Sequence, residues 1–156
     1  MNFLDCIRTK FNHVKKSCRE EGEGHRVNLR GLRPNLIVKA DHILLDEPSC
    51  DCIIFVATTK GIRVAVVELK GKLKDIHEIV DKFRSTFKLL ERMADMCGEN
   101  GPPWDILPIV YHEGIHPAGT RELKLSRSHV TFRNVNYRVI AKGYKIALSQ
   151  VISKFS

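Results

Sequence analysis

No apolar run in this chain approaches the about 18 residues needed to cross a bilayer. Met1 to Lys10 is a mixed amphipathic stretch without a signal-peptide core, so neither membrane insertion nor secretion is expected. The cysteines contain no C-x-x-C pair. Cys6, Cys18, Cys50, Cys52 and Cys97 form an odd set that indicates neither a disulfide framework nor a zinc knuckle, and they read as buried small hydrophobes in a reducing cytoplasm. Gly24, Gly31, Gly71 and Gly143 make no Walker or dinucleotide fingerprint, which removes ATP and NAD sites. Repeats, low-complexity tracts and an interdomain linker are absent as well.

What is present is ordinary globular composition, 43% hydrophobic and 28% charged over 156 residues, which fits one domain spanning 1–156. The net charge of +8 is unevenly placed. Residues 1–33 hold 8 basic and 4 acidic side chains (+4), residues 34–120 hold 10 and 13 (−3), and residues 121–156 hold 8 and 1 (+7). Basic ends around an acidic middle suit a rim that holds phosphates and a centre that holds a cation.

Periodicity predicts the elements. Leu4, Ile7, Phe11, Val14 and Cys18 recur at helical spacing, so an amphipathic helix is expected to run to the acidic, glycine-containing stretch at 20–24. Leu36 to Leu45 is β-rich, and Cys50 to Thr58 is apolar on both faces, as in a central strand. Lys60-Gly61 predicts a tight turn into a third strand, Ile62 to Lys70. Leu73, Ile76, Val80, Phe83, Phe87, Leu90, Ala94 and Cys97 mark a long helix. Ile106 to Tyr111 follows as a strand in which Pro108 points to an edge or a bulge. A hairpin over Val130–Phe132 and Tyr137–Ala141 and a helix through Tyr144, Leu148, Val151 and Phe155 complete an α/β chain with a mixed sheet flanked by helices.

The chemistry concentrates at Asp51 and at Glu68-Leu69-Lys70. Side chains two apart on a strand share a face, so Glu68 and Lys70 point the same way from the end of an apolar strand, where a charge is costly. A two-residue turn at Lys60-Gly61 pairs Asp51 with Lys70, and one at Thr59-Lys60 sets Asp51 opposite Glu68. Either register keeps all three on one face. Two convergent carboxylates and an ammonium are what metal-assisted phosphodiester hydrolysis needs: hard oxygen ligands for Mg²⁺ or Mn²⁺, and a cation to orient water or stabilise the transition state.

An aspartate, a strand and turn, then Glu68-Leu69-Lys70 ending the next strand before a long helix resembles the PD-(D/E)xK, or restriction-endonuclease-like, nuclease superfamily. The resemblance covers roughly Leu36 to Tyr111, with the N-terminal helix as the first helix of the αβββαβ core it implies. It makes Asp51 the motif aspartate and Glu68 and Lys70 the E-x-K pair, with Asp51 and Glu68 holding Mg²⁺ or Mn²⁺. Many members add an acidic residue from the first helix, for which Glu20 and Glu21 are the candidates. Cys50 stands where the name-giving pattern has proline, with Pro48 two residues earlier. Small size and basic charge are similar to archaeal Holliday-junction resolvases and small prophage or restriction-type nucleases. The function implied is a Mg²⁺-dependent endonuclease acting on DNA, with a homodimer as a possible assembly. The alternative is a noncatalytic nucleic-acid-binding module of the same fold.

Lys72, Lys74, Arg127, Arg133 and Arg138, the last two beside Phe132 and Tyr137, are candidate nucleic-acid contacts. His112-Glu113-Gly114-Ile115-His116 matches H-E-x-x-H, but the preceding strand, Gly114 and the following Pro117 predict a strand exit rather than the helix zinc chemistry requires. Glu78 and Lys82 read as an ordinary i,i+4 surface pair.

Overall fold

The computed structural model describes residues 2–11, 13–20, 22, 24–97, 104–115 and 129–154; Glu21, His116 and Arg127 lie outside them. In chain order the elements are α1 (Phe3–Phe11), β1 (Val14–Lys15), β2 (Leu36–Lys39), β3 (Cys52–Thr58), β4 (Gly61–Leu69), β5 (Lys72–Leu73) and α2 (Ile76–Met96). Then come β6 (Asp105–His112), β7 (Gly114–Ile115), β8 (His129–Phe132), β9 (Val135–Arg138), β10 (Ile140–Gly143) and α3 (Leu148–Lys154).

Six strands form one mixed sheet in the order β1-β2-β3-β4-β6-β10. β1 to β4 pair antiparallel, and β6 and β10 continue parallel to β4. The step from β4 to β6 is made by α2, as a parallel crossover requires. The double-faced apolar run of β3 and β4 is explained by what covers it. Ile53, Phe55, Val64 and Val66 face α1 and α2 through Ile7, Phe83 and Phe87, while Ile54, Ala65 and Val67 face α3 through Leu148 and Val151.

Six expectations change. The strand expected over Tyr137–Ala141 divides, Val135–Arg138 pairing with β8 while Ile140–Gly143 joins the main sheet beside β6, and the last helix begins at Leu148 rather than Tyr144. α1 stops at Phe11, because Val14 and Lys15 leave the helix to pair with Val38 and Ile37. β2 stops at Lys39, where Ala40–His42 forms a 3-10 turn whose Ala40 carbonyl accepts from Ile43 and Leu44. Pro108 lies on an interior strand. Tyr111 offers its carbonyl to Lys70 on the β4 side, so by alternation the missing N–H of Pro108 faces β10, one residue before that pairing begins at Ile109–Ile140. Finally, four cysteines are not free thiols: Cys6 bonds Cys97 and Cys18 bonds Cys52, leaving Cys50 as the buried thiol. Separations of 91 and 34 residues kept these pairings out of reach of sequence spacing.

Candidate functional site

Thr58 pairs with Gly61, so the hairpin loop is Thr59-Lys60, with the Thr58 hydroxyl donating to the Gly61 carbonyl (2.8 Å) and accepting from Lys60 N–H (3.2 Å). The last regular pair at the other end is Cys52–Val67. Carried one step further, this register sets Asp51 opposite Glu68, on the face that Ile53 and Val66 turn toward α2. Thr59-Lys60, not Lys60-Gly61, makes the turn, and the parity that unites the two carboxylates holds.

Asp51 sits at the bend before β3, where its Oδ2 accepts the Leu69 N–H at 2.8 Å, so the side chain takes a donor at the mouth of the ladder. Its Oδ1 lies 3.9 Å from Lys39 Nζ, which also stands 3.5 Å from Asp41 and donates to the Arg19 carbonyl at 3.1 Å. Glu68 is 2% exposed. Burial and then the neighbouring Asp51 push its carboxyl up to about 8 against the opposing pull of Lys82.

Lys82 Nζ is 2.7 Å from Glu68 Oε2, an ion-pair distance reached at angles poorer than those of a good hydrogen bond. Desolvation lowers the Lys82 ammonium, but Glu68 outweighs it and the net shift is upward. That gain requires an ionised Glu68. The two groups therefore titrate together, and the upward shift of the Glu68 carboxyl, set first by burial, is the direction that governs the site. Lys70 shares the face of Glu68, and its ammonium reaches Glu78 in the first turn of α2 at 3.8 Å.

The fold thus gathers Asp51, Glu68 and Lys70 and adds Lys82 and Lys39, which the sequence reading did not place there. Both were legible in part. Lys82 falls three residues after buried Ile79 and four before buried Thr86, inside the stripe that faces the sheet, and Lys39 interrupts the apolar run of β2. Among the described residues no cluster of three or more His, Cys, Asp or Glu side chains is arranged to ligate a metal; of the two candidates for a third ligand, Glu20 lies beyond the end of α1, 3.4 Å from His25, and Glu21 is not among them.

Lys72 and Lys74 are exposed directly beyond the site. Arg133 and Arg138 stand elsewhere. Arg133 donates to Asp95 (2.8 Å) and its N–H to Glu91 (3.0 Å), 9 or more residues along α2 from Lys82, roughly 14 Å at 1.5 Å per residue. Arg138 is exposed on β9. His112 ends β6 and Gly114–Ile115 is extended, so the described part of the H-E-x-x-H match is not a helix. Comparison with protein-family models, curated proteins and solved structures finds no match to this chain.

Proposed function

We propose that the chain is a metal-dependent nuclease that hydrolyses phosphodiester bonds of DNA at Asp51, Glu68 and Lys70. The observation that carries this reading is the opposition of two buried carboxylates across β3 and β4, one of them pushed upward in pKa by burial and by the other carboxylate despite the Lys82 ammonium beside it. The order of elements supports it too. A helix, three antiparallel strands, a helix and a parallel fourth strand, with the aspartate opening the second strand and E-x-K closing the third, is the arrangement implied for a restriction-endonuclease-like core.

The residues fit a hard divalent cation, since opposed carboxylates from neighbouring strands are oxygen donors whose repulsion such an ion relieves. A bound Mg²⁺ or Mn²⁺ supplies polarisation of a phosphoryl oxygen and a more acidic water. Asp51 is held for its part by the Leu69 N–H, and Lys82 favours the ionised form of Glu68. Lys70, part-exposed at the strand end, orients water or offsets charge on the phosphoryl oxygens.

Cleavage of duplex, flap and junction DNA with Mg²⁺ or Mn²⁺ against an EDTA control tests the reading. Glu68→Ala and Lys70→Ala each abolish cleavage with Tm unchanged or raised, because burying an ionisable carboxyl is itself costly and Lys70 is part-exposed, so neither loss need weaken the sheet. Calorimetric titration with Mn²⁺ below pH 8 releases about one proton, since a ligating carboxyl must ionise, and Asp51→Asn weakens that binding at least about tenfold. Full cleavage by Asp51→Asn, or unfolding of both alanine variants, would defeat the assignment. One observation favours the noncatalytic alternative: Glu68 is almost wholly enclosed and already matched by Lys82. DNA binding without any Mn²⁺ uptake would select it.

A further inference from the structure

The ribbon between β1 and β2 carries a charge arrangement the site does not explain. Arg19 and Arg26 form a bridge, closed by hydrogen bonds from Val27 N–H to the Cys18 carbonyl (2.9 Å) and from Glu20 N–H to the His25 carbonyl (2.8 Å). Directly opposed residues share a face, and like charges there are destabilising. Both arginines are exposed, and among the described residues neither side chain has a carboxylate partner; the same holds for Lys15, Lys16, Arg30 and Lys145.

These six cations border three adjoining concavities. A hollow of about 160 Å³ beside Lys15, Lys16 and Lys39 shares Arg19 with a second of about 540 Å³. That one shares Arg26 with a cleft of about 1110 Å³ reaching Arg30 and Lys145. Among the described residues, the carboxylates bordering them, Glu20 and Glu113, are both taken by His25, at 3.4 and 2.8 Å, and the Glu113 contact leads in raising the imidazole toward its charged form. Lys39 lines the first hollow and stands 3.9 Å from Asp51, so the trough begins one side chain from the carboxylate pair.

We propose that this trough, from Lys15 and Lys16 through Arg19 and Arg26 to Arg30 and Lys145, binds the sugar–phosphate backbone of a nucleic-acid strand. The assignment rests on the nuclease reading only for what happens to the strand afterwards. Phosphates supply anions for an Arg19–Arg26 face that has no carboxylate partner among the described residues, and exposed cations spaced along a groove are suited to a repeating charge rather than to one small ligand.

Fluorescence anisotropy with labelled single-stranded and duplex DNA, in EDTA so that no strand is cut, tests the trough. Arg19→Gln, Arg26→Gln and Arg30→Gln combined lower affinity at least tenfold and reduce the slope of log K against log salt by about 2 to 3, at 0.7 to 0.9 per lost phosphate contact. Lys88→Gln with Arg92→Gln, exposed on α2, leaves both unchanged. An unaltered slope in the triple variant, an equal loss in the α2 control, or absence of DNA binding by the native chain overturns the proposal. So does binding to phosphatidylserine vesicles as tight as to DNA and lost in the same variant. Mn²⁺ assays separate the two readings. A protein that binds through the trough but never cuts loses the nuclease assignment alone, and a triple variant that binds and cuts like the native chain loses the trough alone.

Discussion

Glu68 answers to two neighbours of opposite sign, and its titration decides how the site responds to pH. Its folded value of about 8 stands above the ordinary 4.5, so the folded protein binds a proton there that the unfolded chain releases. The associated stability is complete below about pH 4.5, declines as pH rises, and is gone above about 8. Glu68→Gln cannot ionise. Its Tm is expected to be nearly flat over that range and, at pH 9, to exceed that of the native chain by at least about 3 °C, as thermal melts from pH 5 to 9 would read. A native Tm that rises with pH across this window would contradict the burial argument. The Asp51 and Glu68 positions were legible because strand parity is insensitive to whether the turn sits at Thr59-Lys60 or one residue later. Lys39 was legible only as a charge ending the apolar run of β2, because its contact with Asp51 depends on how the end of β2 bends into the 3-10 turn.

At the scale of elements, α2 both covers the sheet and fixes the acid pair. Its apolar stripe was readable from spacing alone, and Asp75 caps it by accepting from Glu78 N–H at 3.1 Å. Less visible was Thr86. Its hydroxyl donates to the Lys82 carbonyl (2.8 Å) and accepts the N–H of Cys50 (2.9 Å), joining the helix to the chain just before Asp51. Thr86→Val keeps the shape and strands that buried N–H, at a cost of about 1–3 kcal/mol. The expected fall in Tm is roughly 2–4 °C per kcal/mol, together with weaker Mn²⁺ binding because Asp51 loses its anchor. An unchanged Tm would mean that the N–H finds another acceptor. The β8–β9 hairpin turns on Arg133 and Asn134 at φ 47° and 67°, a left-handed pair suited to a two-residue loop. Nothing in Arg133 itself announced that its guanidinium would be committed to Asp95.

For the molecule as a whole, the two disulfides tie distant parts of the chain. Cys6–Cys97 joins α1 to the end of α2, and Cys18–Cys52 joins the arginine ribbon to the residue after Asp51. Closing loops of 91 and 34 residues contributes about 4 kcal/mol each on the chain-entropy account. Reductant should therefore lower Tm by roughly 10 °C or more. Thiol titration of the unreduced, denatured chain should count one group, Cys50, whose reactivity in the folded state is suppressed because burial pushes the thiol well up. A count of five would restore the reading of reduced cysteines. Fold class was readable from the alternation of apolar patterns, whereas the trough was not: Val14 and Cys18 continue the helical spacing of α1, and only pairing of β1 with β2 and of Arg19 with Arg26 turns that stretch into a ribbon.

The two-residue Thr59-Lys60 loop also sets an order of events. A hairpin with so short a connection closes in microseconds, starting from Thr58–Gly61. Asp51 and Glu68 stand beyond its last rung, Cys52–Val67. They are brought together at the open end, before the chain has returned through α2 to place Lys82 beside them. Burial of Glu68, the main cause of its raised carboxyl, is completed only when α2 docks and sets Lys82 beside it, so docking is the step that must carry a proton in or bury a charge. Stopped-flow refolding should slow as pH passes 8 for the native chain and remain level for Glu68→Gln, so that the carboxylates proposed to serve catalysis act as a brake on assembly.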